Sequence, residues 1–183
     1  YTGSQFVCAG YSGTMLTSAN ATSWTARTSG TANDLYALSW TGSQLLAAGN
    51  HGTILTSGDG ITWTTRTSGS SSLLSGVSWS GSRFIVVGYN SSTFVPAILT
   101  STDGVAWSSL TAGNTAIADV TWSGSQFLAV GGTASSGLVI DSSNGLSWST
   151  QNTSITNTLL GVTWSGSQFV TVGANGSIYT ATP

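Results

Sequence analysis

One nine-residue stretch of this 183-residue chain, residues 161–169 (GVTWSGSQF), recurs along the sequence. Related copies begin at Trp40, Trp79 and Trp122, and another begins at Tyr1 with tyrosine in place of tryptophan. The spacing gives a period of about 40 residues, which is typical of propellers and other repeat arrays. It predicts a single domain over residues 1–183, with repeats at about 1–39, 40–78, 79–121, 122–163 and 164–183.

Each repeat contains four short apolar or alternating segments, which we name strands A to D. In the second repeat they are residues 35–40, 44–49, 53–57 and 61–66. Ser/Thr-Gly-Ser separates A from B, and Gly58-Asp-Gly60 separates C from D; both are hairpin signals. No segment shows the 3.6-residue period of a helix over sufficient length.

Polarity differs between the strands. Strand B is apolar on both faces, as in residues 84–87 and 127–130, and therefore must be covered on both sides. Strand D alternates, with Ile61 and Trp63 on one face and threonines on the other. This gradient predicts an all-β fold, a five-bladed β-propeller of four-stranded antiparallel blades. A β-helix is the competitor, although its coil is usually shorter.

The first and last blades are expected to be incomplete, because the first repeat lacks strand A and the last lacks strand D. Three explanations stay open. The chain is a fragment of a longer protein, the ring closes imperfectly, or a neighbouring chain donates the missing strands.

The eight tryptophans fall into two classes, one residue of each class per repeat, and this regularity predicts buried packing sites between blades rather than an exposed sugar-stacking platform. Those at the end of strand A are Trp40, Trp79, Trp122 and Trp164, and those that begin strand D are Trp24, Trp63, Trp107 and Trp148.

Charged residues are only 4% of the chain; there is no lysine or glutamate, and the net charge is -2. Three arginines form no basic patch, so a nucleic-acid partner is not expected. The apolar runs are far shorter than the ~18 residues of a spanning helix, so membrane insertion is not expected either. Cys8 aligns with Ala47 and Val86 and is predicted to be a small core residue. This composition is typical of extracellular, cell-surface or virion-surface proteins.

The C–D turns share a motif, seen in Ser57-Gly-Asp59-Gly60-Ile-Thr-Trp63 and in residues 101–107 and 142–148, with a degenerate copy at 18–24. The motif resembles the Asp-box (BNR) repeat, S-x-D-x-G-x-T-W, of sialidase-like and photosystem-assembly-factor-like propellers. Here glycine directly follows aspartate, so the turn is one residue shorter. The resemblance implies that Asp59 and Asp103 are structural and accept hydrogen bonds from the amides of their own turns.

Catalysis is not expected. Sialidase-like chemistry needs an arginine triad and a tyrosine activated by glutamate, but glutamate is absent and the three arginines do not converge. A two-carboxylate glycosidase would have to pair Asp34 with Asp119. His51, the only histidine, has no ligand motif near it, so neither a metal nor a cofactor is predicted.

Successive hairpins place the uniform A–B and C–D turns on one face and the B–C loops and D–A connections on the other. Variable loops on a rigid scaffold are where binding usually occurs. Asp119 occupies a strand-A position held elsewhere by Ala37, Gly76 and Gly161, and it either lines a central channel or is a solvated edge carboxylate. The candidate ligand-binding residues are Tyr11, Asn33, Asp34, Asn50, His51, Tyr89, Asn90, Phe94, Asn114, Asp119, Asn157 and Asn175.

These features favour a non-catalytic extracellular binding module, lectin-like or adhesive. Aromatic and amide side chains suit a neutral polar ligand such as a glycan, and a surface protein is the other possible partner. The alternative is a structural domain of a surface, filament or phage-tail protein that self-associates through its open blade edges.

Overall fold

The computed structural model describes residues 1–111 and 113–183, and these residues form five antiparallel sheets. Sheet 1 contains β1 (Phe6–Ala9), β2 (Met15–Ser18) and β3 (Thr25–Arg27). Sheet 2 contains β4 (Leu35–Trp40), β5 (Leu45–Gly49), β6 (Ile54–Ser57) and β7 (Thr64–Arg66). Sheet 3 contains β8 (Leu73–Trp79), β9 (Phe84–Tyr89), β10 (Pro96–Ser101) and β11 (Ser108–Leu110). Sheet 4 contains β12 (Ile117–Trp122), β13 (Phe127–Thr133), β14 (Ser136–Ser142) and β15 (Ser149–Thr150), and sheet 5 contains β16 (Leu159–Trp164), β17 (Phe169–Gly173) and β18 (Ile178–Ala181).

Strands that follow one another in the chain are neighbours in every sheet, so each sheet is an up-and-down meander. This confirms the all-β prediction with antiparallel sheets. Sheet 1 holds strands B, C and D, whereas sheet 5 holds A, B and C. Strand D is shorter than expected; β7 begins at Thr64, not at residue 61, because the amides of Ile61 and Thr62 bond to Asp59 in the turn.

The sheets pack side by side in chain order, with β4 against β8, β8 against β12, and β12 against β16. Each interior strand B supplies side chains to two junctions. Phe84 and Val86 of β9 pack towards Leu46 of sheet 2, whereas Ile85 of the same strand packs towards Phe127 of sheet 4. All five side chains are buried, and full burial of a large apolar side chain contributes roughly 1.5–3 kcal/mol.

The outward faces of the two end sheets are more accessible than their counterparts. Val172 and Ile178 of sheet 5 are 46% and 68% exposed, whereas the equivalent Val87 and Ile98 of sheet 3 are 0% and 1% exposed. On sheet 1, Cys8 is exposed, so its assignment to the core was wrong. Its strand position is a core position only where another sheet covers that face.

The tryptophans are less buried than the sequence indicated. Seven of the eight are partly buried, and Trp24 is 39% exposed. The Trp79 ring packs on Phe84 with ring centroids 4.3 Å apart, and the indole nitrogen of Trp63 donates to the Gly60 carbonyl at 3.2 Å. The indoles therefore seal the ends of the sheet junctions, while phenylalanine and aliphatic side chains fill the centres.

A side-chain hydrogen bond joins the A–B turn of sheet 1 to the C–D turn of sheet 2. The Gln5 side-chain amide donates to the Asp59 carbonyl at 2.5 Å. A Cβ on the next residue, Gly60, would lie 2.7 Å from that nitrogen, and one on Gly104 would lie 2.9 Å from the Gln44 side chain. Both glycines also have positive φ, +70° and +72°. The positive φ therefore favours glycine directly after turn positions 59 and 103, and a glutamine of the preceding sheet lies against it.

We expect Gly104→Ala to lower the free energy of unfolding by about 1–3 kcal/mol, because it combines an unfavourable φ with the contact to Gln44. The matched control is Gly58→Ala; this turn glycine has no atom within 4 Å of an added Cβ and does not have a positive φ. The control should change stability by less than about 0.5 kcal/mol. Urea unfolding of both variants measures the difference, and equal effects would contradict the proposed role of Gly104.

Candidate functional site

The two ends of the sheets form two distinct faces. The turn face carries the A–B and C–D turns, as the bond between Gln5 and Asp59 shows. The loop face carries the B–C loops and D–A connections; there, the Ser12 amide donates to Asp34 Oδ1 at 2.8 Å.

The carboxylates of the turn face are engaged within their own turns. Asp59 Oδ1 accepts hydrogen bonds from the amides of Ile61 and Thr62, both at 2.8 Å, and from the Ser57 hydroxyl at 3.0 Å. These hydrogen bonds from backbone amides lower the pKa of Asp59 to about 2, and the bond from Thr62 has the largest effect. Asp103 has the same arrangement, and the amide of Val105 is the largest cause of its lowered pKa. Their exposed oxygens therefore hold the turn in shape.

Three of the five B–C loops are alike, although the sequence suggested an irregular loop face. Each forms one 3₁₀ turn, at Tyr11–Gly13, Asn50–Gly52 and Ala174–Gly176. The middle residue is left-handed in all three, and in the second it is His51, with φ +54°. A Cβ on Gly52 would lie 1.9 Å from the Ser70 carbonyl oxygen, so this loop packs directly on the D–A connection. These loops are scaffold, and His51 is one exposed position within it.

Above sheets 1 and 2, the structure brings together Tyr11, Asp34 and a residue that the sequence analysis missed, Tyr36. Tyr11 is 73% exposed and meets Tyr36 edge to face, with ring centroids 6.2 Å apart. The Tyr36 hydroxyl donates to Asp34 Oδ2 at 3.3 Å. Desolvation, and then the Asp34 charge, raise the pKa of Tyr36. Tyr36 lies where the pairing of β4 with β5 shifts register between Leu35 and Ala37, and no motif in the sequence signalled it.

Four of the candidate asparagines bond to neighbouring loops. Asn33 donates to the Thr53 hydroxyl at 2.8 Å, and Asn175 donates to Asn157 at 3.3 Å. The backbone amide of Asn50 donates to a carbonyl of the preceding D–A connection at 2.8 Å. These contacts join loops of the scaffold and do not place the four side chains in one pocket.

The B–C loop of sheet 3, residues 90–95, departs from the repeat. Asn90 Oδ1 accepts the amides of Ser92 and Thr93 at 3.0 Å, and the Phe94 amide donates to the Asn90 carbonyl at 2.8 Å. Phe94 is held at φ +59°, an uncommon conformation for a bulky residue. Its ring stacks on Tyr89 at 5.9 Å and 10° and remains 60% exposed. The loop thus presents an aromatic ring to solvent in a fixed position.

Sheet 4 departs from the repeat as well. β13 and β14 continue past the usual length and pair as far as Thr133 and Ser136, so that the only residues between the two strands are Ala134 and Ser135. This extended hairpin replaces the 3₁₀ turn of sheets 1, 2 and 5. Residues of this hairpin and of the Phe94 loop line the same groove.

A groove of about 460 Å³ is lined by residues of the Phe94 loop and of the extended hairpin. Three candidate residues line it, Tyr89, Phe94 and Asn114. Its far side is formed by Leu160, which is 58% exposed and which the sequence analysis did not select. Leu160 lies where the pairing of β16 with β17 shifts register between Leu159 and Gly161. The signal available in the sequence was a second leucine directly after the apolar position 159.

A second cleft, of about 480 Å³, lies at the outer side of sheets 4 and 5 beside β18. Its lining includes Asp141, Gln151 and Tyr179. It lies beside β18, the edge strand of sheet 5, and none of the candidate binding residues lines it. We therefore take the groove on the loop face as the candidate site.

Asp119 lies apart from the loop-face residues. Its carboxylate accepts the Val120 amide at 2.8 Å and, from sheet 5, the Val162 amide at 2.9 Å. Burial raises the pKa of Asp119, and a Cβ on Gly76 would lie 2.9 Å from it. Its oxygens therefore bridge inner strands of sheets 4 and 5, and its position in a central channel stays a prediction.

Two further observations concern the described residues alone. In residues 1–111 and 113–183, no helix is long and apolar enough to cross a membrane. Over the same residues, no group of three or more histidine, cysteine, aspartate or glutamate side chains is arranged to hold a metal ion.

Comparison with known proteins gives the fold. No protein-family profile matches the sequence, and no curated protein matches it. Solved structures do match over 98% of this chain: a WD40 β-propeller domain of Doa1 (14% identity, TM-score 0.76, 62% of that chain) and a nidogen/laminin complex (13%, 0.73, 74%). YCF48 bound to D1 peptide also matches (18%, 0.71, 60%). This chain thus spans between 60% and 74% of the length of these structures, and it has a β-propeller fold.

The pKa shifts of Asp59 and Asp119 predict opposite pH effects on stability. Folding lowers the pKa of Asp59, so its stabilisation relative to Asp59→Asn is present above the unfolded pKa of ~3.9 and is lost as pH falls to about 2. Folding raises the pKa of Asp119, so the stability of the wild type relative to Asp119→Asn should increase as pH falls through its folded pKa towards ~3.9. Urea unfolding from pH 2 to pH 7 measures both differences. If the stability of the wild type relative to each variant changed in the same direction with pH, the result would contradict this assignment.

Proposed function

We propose that this chain is a non-catalytic binding module that holds a neutral ligand in the groove of the loop face. The observation that carries the proposal is location. The groove is lined by the B–C loops of sheets 3 and 4, which lack the 3₁₀ turn shared by sheets 1, 2 and 5. Departures that the scaffold does not need are the usual positions of binding residues on a repeat fold.

The absence of charge from the described lining of the groove supports a neutral ligand. The side chains that line it are aromatic, aliphatic, hydroxyl or amide. A charged group placed there would lose its hydration without gaining an opposite charge, which is costly. The chain as a whole offers only three arginines and five aspartates.

The engagement of the carboxylates supports a non-catalytic role. Asp34 bonds to Ser12 and Tyr36, and Asp119 bonds to two inner-strand amides. No carboxylate, imidazole or thiol is present among the described residues that line the groove. General acid–base catalysis needs such a group within reach of the reacting atoms.

Two ligand classes are compatible with this proposal. The sequence favours a glycan, bound at the surface of a cell or virion. The nidogen/laminin complex and YCF48 bound to D1 peptide are protein and peptide complexes on a similar fold, which adds a protein segment as the second class. We also propose that the five sheets are blades of one ring and that the C–D turns are Asp-box repeats shortened by one residue.

The binding proposal predicts saturable changes in the backbone amide NMR signals of the groove, Gly131 and Gly132 among them, with at least one neutral ligand. The probes are neutral hexasaccharides of glucose and N-acetylglucosamine and a pool of uncharged decapeptides. Phe94→Ala should weaken binding by about tenfold or more, because an exposed fixed aromatic is a typical anchor. The control is Val105→Ala, which removes a 47% exposed side chain on the turn face. Signal changes confined to the turn face would contradict the proposal.

A second candidate function, self-association, rests on the exposed outward faces of sheets 1 and 5. Val172 and Ile178 are 46% and 68% exposed on one, and Cys8 is exposed on the other. A second copy placed against them would repeat the sheet-to-sheet contact already present within the chain. Exposed apolar faces of this kind favour association.

This second candidate predicts concentration-dependent oligomers in light scattering after gel filtration. Ile178→Asp should dissociate them, because it introduces a charge into the proposed contact. Val105→Asp, at an exposed residue of the turn face, is the matched control and should leave them intact. A strict monomer at all concentrations would exclude self-association.

A further inference from the structure

We infer that the occupant of the groove is an uncharged protein segment that inserts one aromatic or branched aliphatic side chain, and not a sugar. This inference rests on the proposed binding function and identifies its ligand class. It is drawn from the lining, the hydrogen bonds already made there, and the exposed apolar surface at the rim.

Five of the residues that line the groove are small and have no polar side-chain atoms. They belong to sheet 4 or directly precede its inner strand, and they are Ala116, Ala118, Gly131, Gly132 and Ala134. Phe94 and Leu160, from sheets 3 and 5, add two large apolar side chains to the lining. Small residues beside two large apolar side chains leave room for one bulky apolar side chain of a ligand, and the volume of about 460 Å³ falls within the ~300–1,000 Å³ of ligand pockets.

Five of the twelve lining residues carry polar side-chain atoms, and one of them is already used. The Thr158 hydroxyl donates to the Thr133 carbonyl at 2.5 Å. The remaining four are Tyr89, Asn114, Thr115 and Thr133. A buried sugar ring carries a hydroxyl on most of its carbons, and each one left without a partner costs roughly 1–3 kcal/mol. An apolar side chain needs no such partners, so the lining favours it.

The apolar surface extends beyond the groove. Phe94, Val95 and Leu160 are 60%, 56% and 58% exposed, and Val95 directly follows Phe94 in the same loop. Exposed apolar residues that are grouped in this way mark protein interaction sites. They allow the residues beside the inserted side chain to be covered as well, which a segment of several residues would do.

Charge restricts the segment further. None of the described residues in the lining is aspartate, glutamate, lysine, arginine or histidine. A charged residue in the contacting part of the partner would be desolvated without a counter-charge. The residues next to the inserted side chain should therefore be uncharged.

The test selects a phage-displayed library of random dodecapeptides on the full chain and, in parallel, screens an array of neutral glycans. The enriched peptides should share one aromatic, leucine, isoleucine or methionine residue with uncharged neighbours. Ala134→Glu should weaken the binding of a synthetic consensus peptide by about tenfold or more, since it places a carboxylate in the groove. The matched control is Ser135→Glu, at the neighbouring exposed hairpin residue that does not line the groove, and it should change the affinity by less than about twofold.

The outcomes separate the inference from the function on which it rests. Glycan binding that Ala134→Glu abolishes would overturn the inference and leave the binding module standing. A charged consensus, or peptide binding that is equal in the two glutamate variants, would also overturn the inference. No ligand from either library would overturn both proposals. Thermal unfolding verifies that the variants fold, and Leu160→Ser replaces Ala134→Glu if that variant does not.

Discussion

The burial of both faces of strand B between neighbouring sheets is the interaction on which this structure depends. In β9, Phe84 and Val86 enter one junction while Ile85 and Val87 enter the next, and all four are at most 1% exposed. One sheet cannot cover its own two faces, so each repeat needs a neighbour and the sheets must stand side by side. This requirement fixes the apolar composition of strand B and leaves the turns and loops to other roles.

On the turn face, contacts between turns of neighbouring sheets stabilise these junctions. Gln5 reaches from the A–B turn of sheet 1 to the Asp59 carbonyl of sheet 2, and the glycine that follows Asp59 leaves room for it. The Asp59 carboxylate bonds within its own turn, so its role is to fix the conformation of that turn. Uniform contacts of this kind explain why the turn face varies little between repeats.

The loop face has the opposite property. The loops of sheets 1, 2 and 5 repeat one 3₁₀ turn, in which Gly52 packs on a backbone carbonyl. Sheets 3 and 4 replace that turn with a loop that exposes Phe94 and with a longer hairpin ending at Ala134 and Ser135. Residues of both loops line the groove. Its apolar, uncharged lining distinguishes it from the polar loops that surround it.

The sequence by itself determined the all-β architecture, the strand order within each sheet and the two faces, because the Trp-Ser-Gly-Ser repeat and the polarity of strand B are local signals. It also placed Tyr89, Phe94 and Asn114 on the face that carries the groove. Only the tertiary structure decided that these three share one cavity with Leu160, that Asp119 bridges the inner strands of two sheets, and that Cys8 is exposed. Those properties depend on which sheet, if any, covers a given position, and repeats that look equivalent in sequence differ in their neighbours.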